Sequence, residues 1–454
     1  MLNVFGGGGD ARDCGGVTRR SFLRAGALGL GGLTLADLLR LRASGAAAGA
    51  GRRSVILLWL SGGPGHMETW DPKPDSPGGF RGPFGAIPTA VPGVHFGELM
   101  PEQARLMGKL AVLRTVNHGS GDHTKGNHWM LTGHEGPAFN APDNQIQRRP
   151  AMGAAVARLR ASGRPGLPPY IAVPNLRGGT DNLFHYAAYL GAAVNPFVVE
   201  SDPNGPKFQV KNLTPPEGIS LGRLGDRRRV LEAMDGLRRG ADPKLRDLDA
   251  YYQNAFEMLT GRDVAAAFDI DSEDPKLRDR YGRHTFGQGA LLARRLVEAG
   301  TPFVTVNCVP WDHHGTKPQL TTEDGARKLI PPLDRAIGAL VDDLIDRGLY
   351  DSTLVVAMGE FGRTPRMNKD AGRDHWGNTF SVLMGCGSMK MGQVIGRSSA
   401  RGEHVVDRPI SPQDVAATVY HHLGIDARSI TFEDRTGRPT YLIDEGEPIR
   451  ELVG

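Results

Sequence analysis

The chain has 454 residues, of which 39% are hydrophobic and 23% are charged, as in ordinary soluble globular proteins. This composition excludes a collagen, a coiled coil and bulk disorder. The formal net charge is +4, and residues 1–50 supply +3 of it through six Arg and three Asp. The rest of the chain is therefore near neutral, with interspersed charges, which argues against a nucleic-acid partner.

The first fifty residues have the pattern of an export signal. Thr18-Arg-Arg-Ser-Phe-Leu-Arg24 is followed by an apolar, glycine-rich stretch at 25–35 and a small-residue tract at 43–50. This order resembles a twin-arginine signal peptide. The apolar stretch is too short for a stable membrane span, which needs about 20 residues. We therefore predict a leader at 1–50, the Tat translocase as a partner during export, and a periplasmic or extracellular mature protein.

The elements that follow predict one α/β domain at 51–454. Short apolar runs predict strands at 54–60, 111–116, 303–309, 353–358 and 380–384. Apolar residues at helical spacing predict helices at 290–299, 333–345 and 415–423. Because strand, helix and strand alternate over 303–358, these strands are expected to be parallel. Residues 218–285 are charged and helical in pattern, so we predict a helical insertion there.

Polar clusters follow four of the predicted strands. Their members are His66, Glu68 and Asp71; His118, Asp122, His123 and His128; Asp312, His313 and His314; and Glu360 with Arg363. Ligands of open α/β sheets bind beyond the carboxyl ends of the strands, so the four loops are expected to converge. A fifth cluster at 372–375 precedes a strand, so a loop would have to carry it to that edge. Mixed His and carboxylate ligands favour zinc, manganese or iron, whereas oxygens alone suit calcium.

Three longer motifs resemble a known bacterial family. They are Trp-Asp-His-His-Gly at 311–315, Gly-Glu-Phe-Gly-Arg-Thr-Pro at 359–365 and Gly-Arg-Asp-His-Trp at 372–376. They are similar to the signature of a domain of unknown function (number fifteen-oh-one), and the resemblance covers nearly all of 51–454. That family is grouped with the alkaline phosphatase and sulfatase superfamily. The resemblance implies a three-layer α/β sandwich with a mostly parallel central sheet and two divalent metals.

The resemblance also implies roles for individual residues. The metal ligands, or groups that orient them, are Asp312, His314, Glu360, Asp374, His375 and Asp71. The attacking group is placed near His123 or Thr124, with a His able to attack or to bind metal. The anionic part of the substrate falls to Arg363, Arg373 and His128.

Two departures from the superfamily pattern stand out. Glu360-Phe361 replaces an Asp-His pair, and the first strand ends in Ser61-Gly62 without an Asp. The cysteine motif of formylglycine sulfatases is absent from the sequence. The main hypothesis is an exported metal-dependent hydrolase of phosphate or sulfate esters. The alternative is a non-catalytic envelope protein that binds a glycan or a partner, and a mutase-like phosphoryl transferase is disfavoured by the leader.

The two cysteines after the leader bear on the redox state. Cys308 lies in an apolar run, which favours a buried free thiol over a disulfide with Cys386. Sequence alone leaves that pairing open.

Overall fold

The computed structural model describes residues 52–454 except 145, 176–183, 207, 211–212, 214–222, 224–225, 227–255, 259–260 and 309. The predicted leader and most of the predicted insertion lie outside the described residues. The strands are β1 (Ser54–Leu60), β2 (Ala86–Pro88), β3 (His95–Gly97), β4 (Ala111–Val116), β5 (Tyr170–Val173), β6 (Phe197–Val198), β7 (Phe303–Cys308), β8 (Thr353–Met358), β9 (Gly362–Arg363), β10 (His375–Trp376), β11 (Phe380–Gly385), β12 (Gln393–Ile395), β13 (Arg397–Ser398), β14 (Val405–Asp407), β15 (Thr431–Glu433) and β16 (Pro439–Tyr441). The α-helices are α1 (Gly78–Arg81), α2 (Pro101–Arg105), α3 (His123–Thr132), α4 (Met152–Leu159), α5 (Arg262–Phe268), α6 (Pro275–Tyr281), α7 (Thr285–Ala299), α8 (Thr322–Asp346), α9 (Pro412–His422) and α10 (Arg450–Val453).

Eight strands form the central sheet, in the order β12-β4-β11-β8-β1-β7-β5-β6. Strand β1 is parallel to β7 and β8, β5 is parallel to β6 and β7, and β12 is parallel to β4. Strand β11 is antiparallel to both of its neighbours, β4 and β8. Within this sheet only β11 therefore runs against the common direction, and the prediction of a mostly parallel sheet is confirmed.

Helices cover both faces of this sheet. Side chains of β1 alternate, so Ile56 and Leu58 pack on one face and Val55 and Leu57 on the other. Helices α7 and α8 contribute to the first core, and α3, α4 and α9 contribute to the second. Burying each large apolar side chain stabilises the fold by about 1.5–3 kcal/mol. The predicted three-layer α/β architecture is confirmed.

Local signals fix several element ends. Helix α9 begins with a capping box, in which the Ser411 side chain and Asp414 satisfy each other's backbone N–H groups. Helix α7 ends at Gly300, which adopts a left-handed conformation. Helix α8 begins at Thr322, well before the predicted start at 333, because Thr321 caps it and Pro331 and Pro332 lie inside it. Two consecutive prolines usually indicate a helix boundary, but here the packing of the flanking turns keeps the helix continuous through them.

The structure also bears on the predicted state of the cysteines and on the predicted helical insertion. Cys308 and Cys386 are both buried and free, so the prediction of a buried free thiol at Cys308 is confirmed. Within the predicted insertion at 218–285, the described residues include helices α5 and α6. Among the described helices, none combines the length and apolar character needed to cross a membrane.

Candidate metal centre

The polar loops meet at one edge of the sheet because of strand direction. The parallel strands β4, β7 and β8 end there, and they are followed by His123, Asp312 and Glu360. Strand β11 runs the opposite way, so the segment that enters it, with His375, starts at the same edge. The expectation that a loop must carry this cluster across the sheet is therefore wrong. Antiparallel pairing of one strand brings the fifth cluster into place.

Four side chains, His123, Asp312, His314 and His375, form what we call the His–Asp cluster. The Oδ1 atom of Asp312 lies 2.9 Å from Nε2 of His314, 3.1 Å from Nε2 of His375 and 3.7 Å from Nε2 of His123. The Nε2 atoms of His314 and His375 are 2.9 Å apart. Ligand atoms of His123, Asp312 and His375 all lie within 4.8 Å of one another.

The other ring nitrogen of each histidine has its own acceptor. The pairs are His123 Nδ1 with Glu360 Oε1 at 2.7 Å, His314 Nδ1 with Asp374 Oδ1 at 2.9 Å, and His375 Nδ1 with the Gly121 carbonyl at 2.8 Å. Carboxylate and carbonyl oxygens only accept, so each Nδ1 carries the proton. In the neutral rings Nε2 then carries the lone pair, and all three Nε2 atoms lie within 3.7 Å of Asp312 Oδ1. Fixing Nδ1 in this way orients ligating histidines in metal sites.

This arrangement fits a divalent metal. Three nitrogen lone pairs and an anionic oxygen repel one another unless a cation lies among them. A tetrahedral site with ligands about 2.1 Å from zinc has ligand atoms about 3.4 Å apart. The distances from Asp312 Oδ1 to the three Nε2 atoms, which are 2.9, 3.1 and 3.7 Å, bracket that value. A set of three imidazoles and one carboxylate suits zinc, manganese or iron better than calcium.

Charge around Asp312 favours its ionised form. Burial by itself raises the pKa of Asp312, but the charge of Arg363 and the rings of His123 and His375, which donate to Asp312 when Nε2 also carries a proton, outweigh burial. The pKa of Asp312 is therefore held well below its ordinary range. Asp312 is a carboxylate over the whole physiological range, as a metal ligand must be.

Arg363 is the buried cation next to the cluster. Its Nη2 donates to Asp312 Oδ1 at 2.7 Å and also to the Gly62 carbonyl, and its Nε donates to the Gly63 carbonyl at 2.9 Å. Its Nη1 donates to the Arg373 carbonyl at 3.2 Å. With a relative exposure of 2%, Arg363 ties the loop after β1 to the cluster. Most of its donors are engaged within the protein.

Glu360 lies behind His123 rather than among the cluster atoms. It is fully buried and accepts hydrogen bonds from the Gly62 N–H at 2.9 and 3.0 Å as well as from His123. The backbone approach depends on Gly62, because a Cβ there would lie 2.8 Å from the Trp311 nitrogen. Within the described residues Glu360 has no Lys or Arg partner. The structure places Glu360 where it orients His123, as it places Asp374 where it orients His314.

Two residues predicted near the reacting atoms lie elsewhere. Thr124 is fully buried, and its hydroxyl donates to Oδ1 of Asp122, the N-cap of α3, at 2.7 Å. His128 is also fully buried, and its Nδ1 donates to the His134 carbonyl at 2.8 Å. Burial lowers the pKa of His128 to about 4, so it stays neutral. The structure therefore does not bring Thr124 or His128 to the cluster, because both hold the local backbone.

Arg373 and Asp71 also lie outside the cluster. Arg373 is buried and pairs with Glu68 at 2.8 Å, and its other N–H groups donate to backbone carbonyls of residues 80, 364 and 365. Asp71 is buried and pairs with Lys73 at 2.9 Å and Arg114 at 3.3 Å. Both residues are engaged in internal ion pairs. Neither the predicted substrate role of Arg373 nor the predicted metal role of Asp71 matches this placement.

His123 is the cluster residue whose role the sequence left open. Its position, first in α3 after β4, matched the nucleophile of the superfamily pattern, and the sequence allowed either attack or metal binding. The structure directs its Nε2 toward Asp312 and its Nδ1 toward Glu360. The sequence signal was present in the acidic residue after β8, but only the contact shows which histidine it orients.

The fold and the cluster together define an α/β protein with a preformed histidine–carboxylate site at the carboxyl edge of its sheet. Residues 52–453 match the family described as Protein of unknown function (DUF1501), so the chain belongs to that family. The resemblance inferred from the sequence motifs is thereby confirmed.

Solved structures with partial likeness to the chain include a PsFucS1 sulfatase from Pseudoalteromonas sp., with 13% identity, 86% of this chain and 71% of that chain covered, and a TM-score of 0.40. A protein in the alkaline phosphatase superfamily from Vibrio parahaemolyticus has 10% identity, with 82% and 67% covered and a TM-score of 0.39. The phosphonate monoester hydrolase SpPMH from Silicibacter pomeroyi has 14% identity, with 87% and 75% covered and a TM-score of 0.36. No curated protein matches the sequence.

Proposed function

We propose that this protein is an exported, metal-dependent hydrolase of phosphate or sulfate esters. The observation that carries the proposal is the His–Asp cluster, in which three histidines turn Nε2 toward Asp312 while Nδ1 is held by an acceptor. Its substrate is an anionic ester, free or borne on an envelope glycan. The leader pattern at 1–50 supports Tat export to the periplasm or beyond.

The proposal assigns a role to each residue of the site. Asp312, His123, His314 and His375 would hold a divalent metal, which would supply a Lewis acid toward an ester oxygen when bound. Glu360 keeps His123 in the required tautomer, and the buried guanidinium next to Asp312 adds positive charge that favours an anionic group.

The hydroxyl proposed from the sequence belongs to Thr124, which is fully buried and so is not exposed to a substrate. Its hydrogen bond goes to Asp122, which also caps the helix. His123 has its Nδ1 engaged and its Nε2 in the cluster. We therefore propose water, rather than Thr124 or His123, as the attacking group.

One observation favours the non-catalytic alternative. The ring of Phe361 stacks on His375 with centroids 4.6 Å apart and lies 4.9 Å from the ring of His123. This apolar ring stands where the superfamily pattern has a ligand, so the site suits one metal rather than two. A single ion binds an anionic group as well as it activates one, so a binding protein for an anionic glycan is the second candidate.

The metal content of the purified protein tests whether the His–Asp cluster binds a metal. Elemental mass spectrometry on the folded, leader-free protein is expected to find about one equivalent of zinc, manganese or iron. Asp312→Asn should lose it, whereas Asp407→Asn should keep it, because Asp407 is an exposed partner of Arg397 on the surface. Metal-free wild-type protein that cannot be loaded would contradict the proposal.

Activity then separates the two candidates. The metal-loaded protein is assayed with p-nitrophenyl phosphate, p-nitrophenyl sulfate and a phenylphosphonate ester. Hydrolysis that is lost in Asp312→Asn and kept in Asp407→Asn supports the enzyme. Metal binding without hydrolysis of any ester, together with binding of a sulfated or phosphorylated glycan, supports the binding protein.

A further inference from the structure

A small cavity lies next to the His–Asp cluster. Its volume is about 20 Å³, and Arg363 borders both the cavity and Asp312. Other lining residues come from the loop after β1, from the loop after β7 and from the start of α8. A space of this size holds one water molecule when two to four polar groups face it.

Three residues that line the cavity each have one buried polar side-chain atom without a hydrogen-bond partner within the described part of the chain. These atoms are Nε1 of Trp311, Nε2 of His313 and Oγ1 of Thr322. Trp311 and Thr322 have relative exposures of only 4% and 5%. Buried polar groups in native proteins are nearly always hydrogen-bonded to protein or to ordered water, because an unmade bond costs about 1–3 kcal/mol. Three such atoms around one cavity indicate a shared partner.

The charge around the cavity is balanced. Arg363 is paired with Asp312, and Arg373 is paired with Glu68. An anion would therefore meet no unpaired positive group, and a cation would meet the donor-only N–H of Trp311. A water molecule accepts from Trp311 and can donate to or accept from Thr322 and His313.

We propose that this cavity binds one ordered water molecule, held by Trp311, His313 and Thr322, which positions the segment that carries two cluster residues. His313 lies between Asp312 and His314, so the orientation of its ring constrains both neighbours. The positioning role rests on the proposed metal site, whereas the presence of the water does not.

The surroundings of His313 explain why its ring is held so closely. Its ring packs directly on Gly325 in the first turns of α8, where an added Cβ would lie 2.2 Å from Nδ1. The backbone carbonyl of His313 accepts the Arg373 N–H at 3.1 Å. Thr322 is the first residue of α8. The water thus links the loop after β7 to the start of that helix.

A high-resolution crystal structure of the wild-type protein tests the water directly. The expected result is one peak of density within hydrogen-bond distance of all three atoms. A dry cavity overturns the proposal. A bromide soak that places an anomalous peak in the cavity also overturns it, because the occupant would then be an anion.

Variants test the positioning role. Thr322→Val removes one hydroxyl at constant shape, and Thr301→Val is the matched control, because Thr301 is fully buried and precedes β7 at the opposite edge of the sheet. Both are expected to lower the Tm slightly. Only Thr322→Val should weaken zinc binding, by about tenfold, as loss of supporting contacts does at metal sites. Equal zinc affinity in the two variants overturns the positioning role.

Gly325→Ala provides a second variant that acts on the same ring. Its methyl group displaces His313 and is expected to weaken zinc binding at least as much as Thr322→Val. Unchanged zinc affinity in folded Gly325→Ala also overturns the positioning role. If wild-type protein binds no metal at all, the proposed function fails, and the crystallographic result for the water still stands on its own.

Discussion

Replacing Glu360 by Gln probes the group behind the proposed metal centre. Gln keeps the shape of Glu but lacks its charge, and one of its two terminal atoms becomes a donor. The Gly62 N–H lies 2.9 and 3.0 Å from the two Glu360 oxygens, and His123 Nδ1 lies 2.7 Å from Oε1. In either orientation, the amide NH₂ therefore meets at least one N–H group.

The size of the effect follows from these contacts. If the Gln oxygen stays on His123, it can still accept from the Gly62 N–H, but the new NH₂ group faces that N–H and has no acceptor. A buried donor left unpaired in this way costs about 1–3 kcal/mol of folding free energy. The ring of His123 also loses an anionic partner. Loss of such a partner lowers metal affinity about 10–100-fold, which corresponds to about 1.4–2.7 kcal/mol.

Calorimetric titration of zinc into the apo-protein measures this effect, with thermal unfolding alongside. Glu273→Gln is the matched control, because the Glu273 side chain is only 8% exposed and pairs with Arg294 at 2.6 Å, away from the cluster. We expect both variants to lower the Tm and only Glu360→Gln to weaken zinc binding.

Wild-type zinc affinity in folded Glu360→Gln would refute this account of His123. It would show that the carboxylate does not set the tautomer of the ring. Equal losses of affinity in Glu360→Gln and Glu273→Gln would also contradict it, since the effect would then reflect general destabilisation.

Three further predictions concern stability. Arg363→Lys should lower the free energy of unfolding by about 3 kcal/mol, because one ammonium cannot replace the guanidinium beside Asp312; urea denaturation measures this. Burial raises the pKa of Asp334 to about 6. The stability that this carboxyl group contributes is therefore full below about pH 4 and is lost as the pH rises through about 6. The free energy of unfolding should fall by at most about 3 kcal/mol relative to Asp334→Asn over this range. If urea denaturation gives the same pH dependence of that free energy for both proteins, the prediction is wrong. A chelator should lower the Tm of the wild-type protein and leave that of Asp312→Asn unchanged.

Much of the fold was predictable because local patterns agreed with tertiary packing. The strand at 54–60 is apolar on every residue, and burial of all seven residues on two faces of the sheet explains that pattern. The start of α8 was missed because Pro331 and Pro332 suggest a boundary in sequence, while Thr321 caps the helix ten residues earlier. Local signals set helix ends only where nothing stronger competes.

The candidate site was predictable in part. Asp312, His314 and His375 were named from the motifs, and they do meet. The roles of Glu360 and Asp374 differ from simple ligation, because a carboxylate can bind metal or orient a histidine, and only contacts separate the two. His128 and Thr124 belong to the same helix as His123, but burial turns both inward.

The sequence by itself determined the α/β class, the carboxyl-edge location of the polar loops and the membership of the family, because hydrophobic pattern, turn chemistry and long motifs are local properties. The tertiary structure decided which polar residues form the site. Residues 123, 312 and 375 are separated by 63 or more positions in the chain, and they meet because β4 and β7 run one way while β11 runs the other. Distance and orientation between such segments are properties of the packed sheet, which no local pattern encodes.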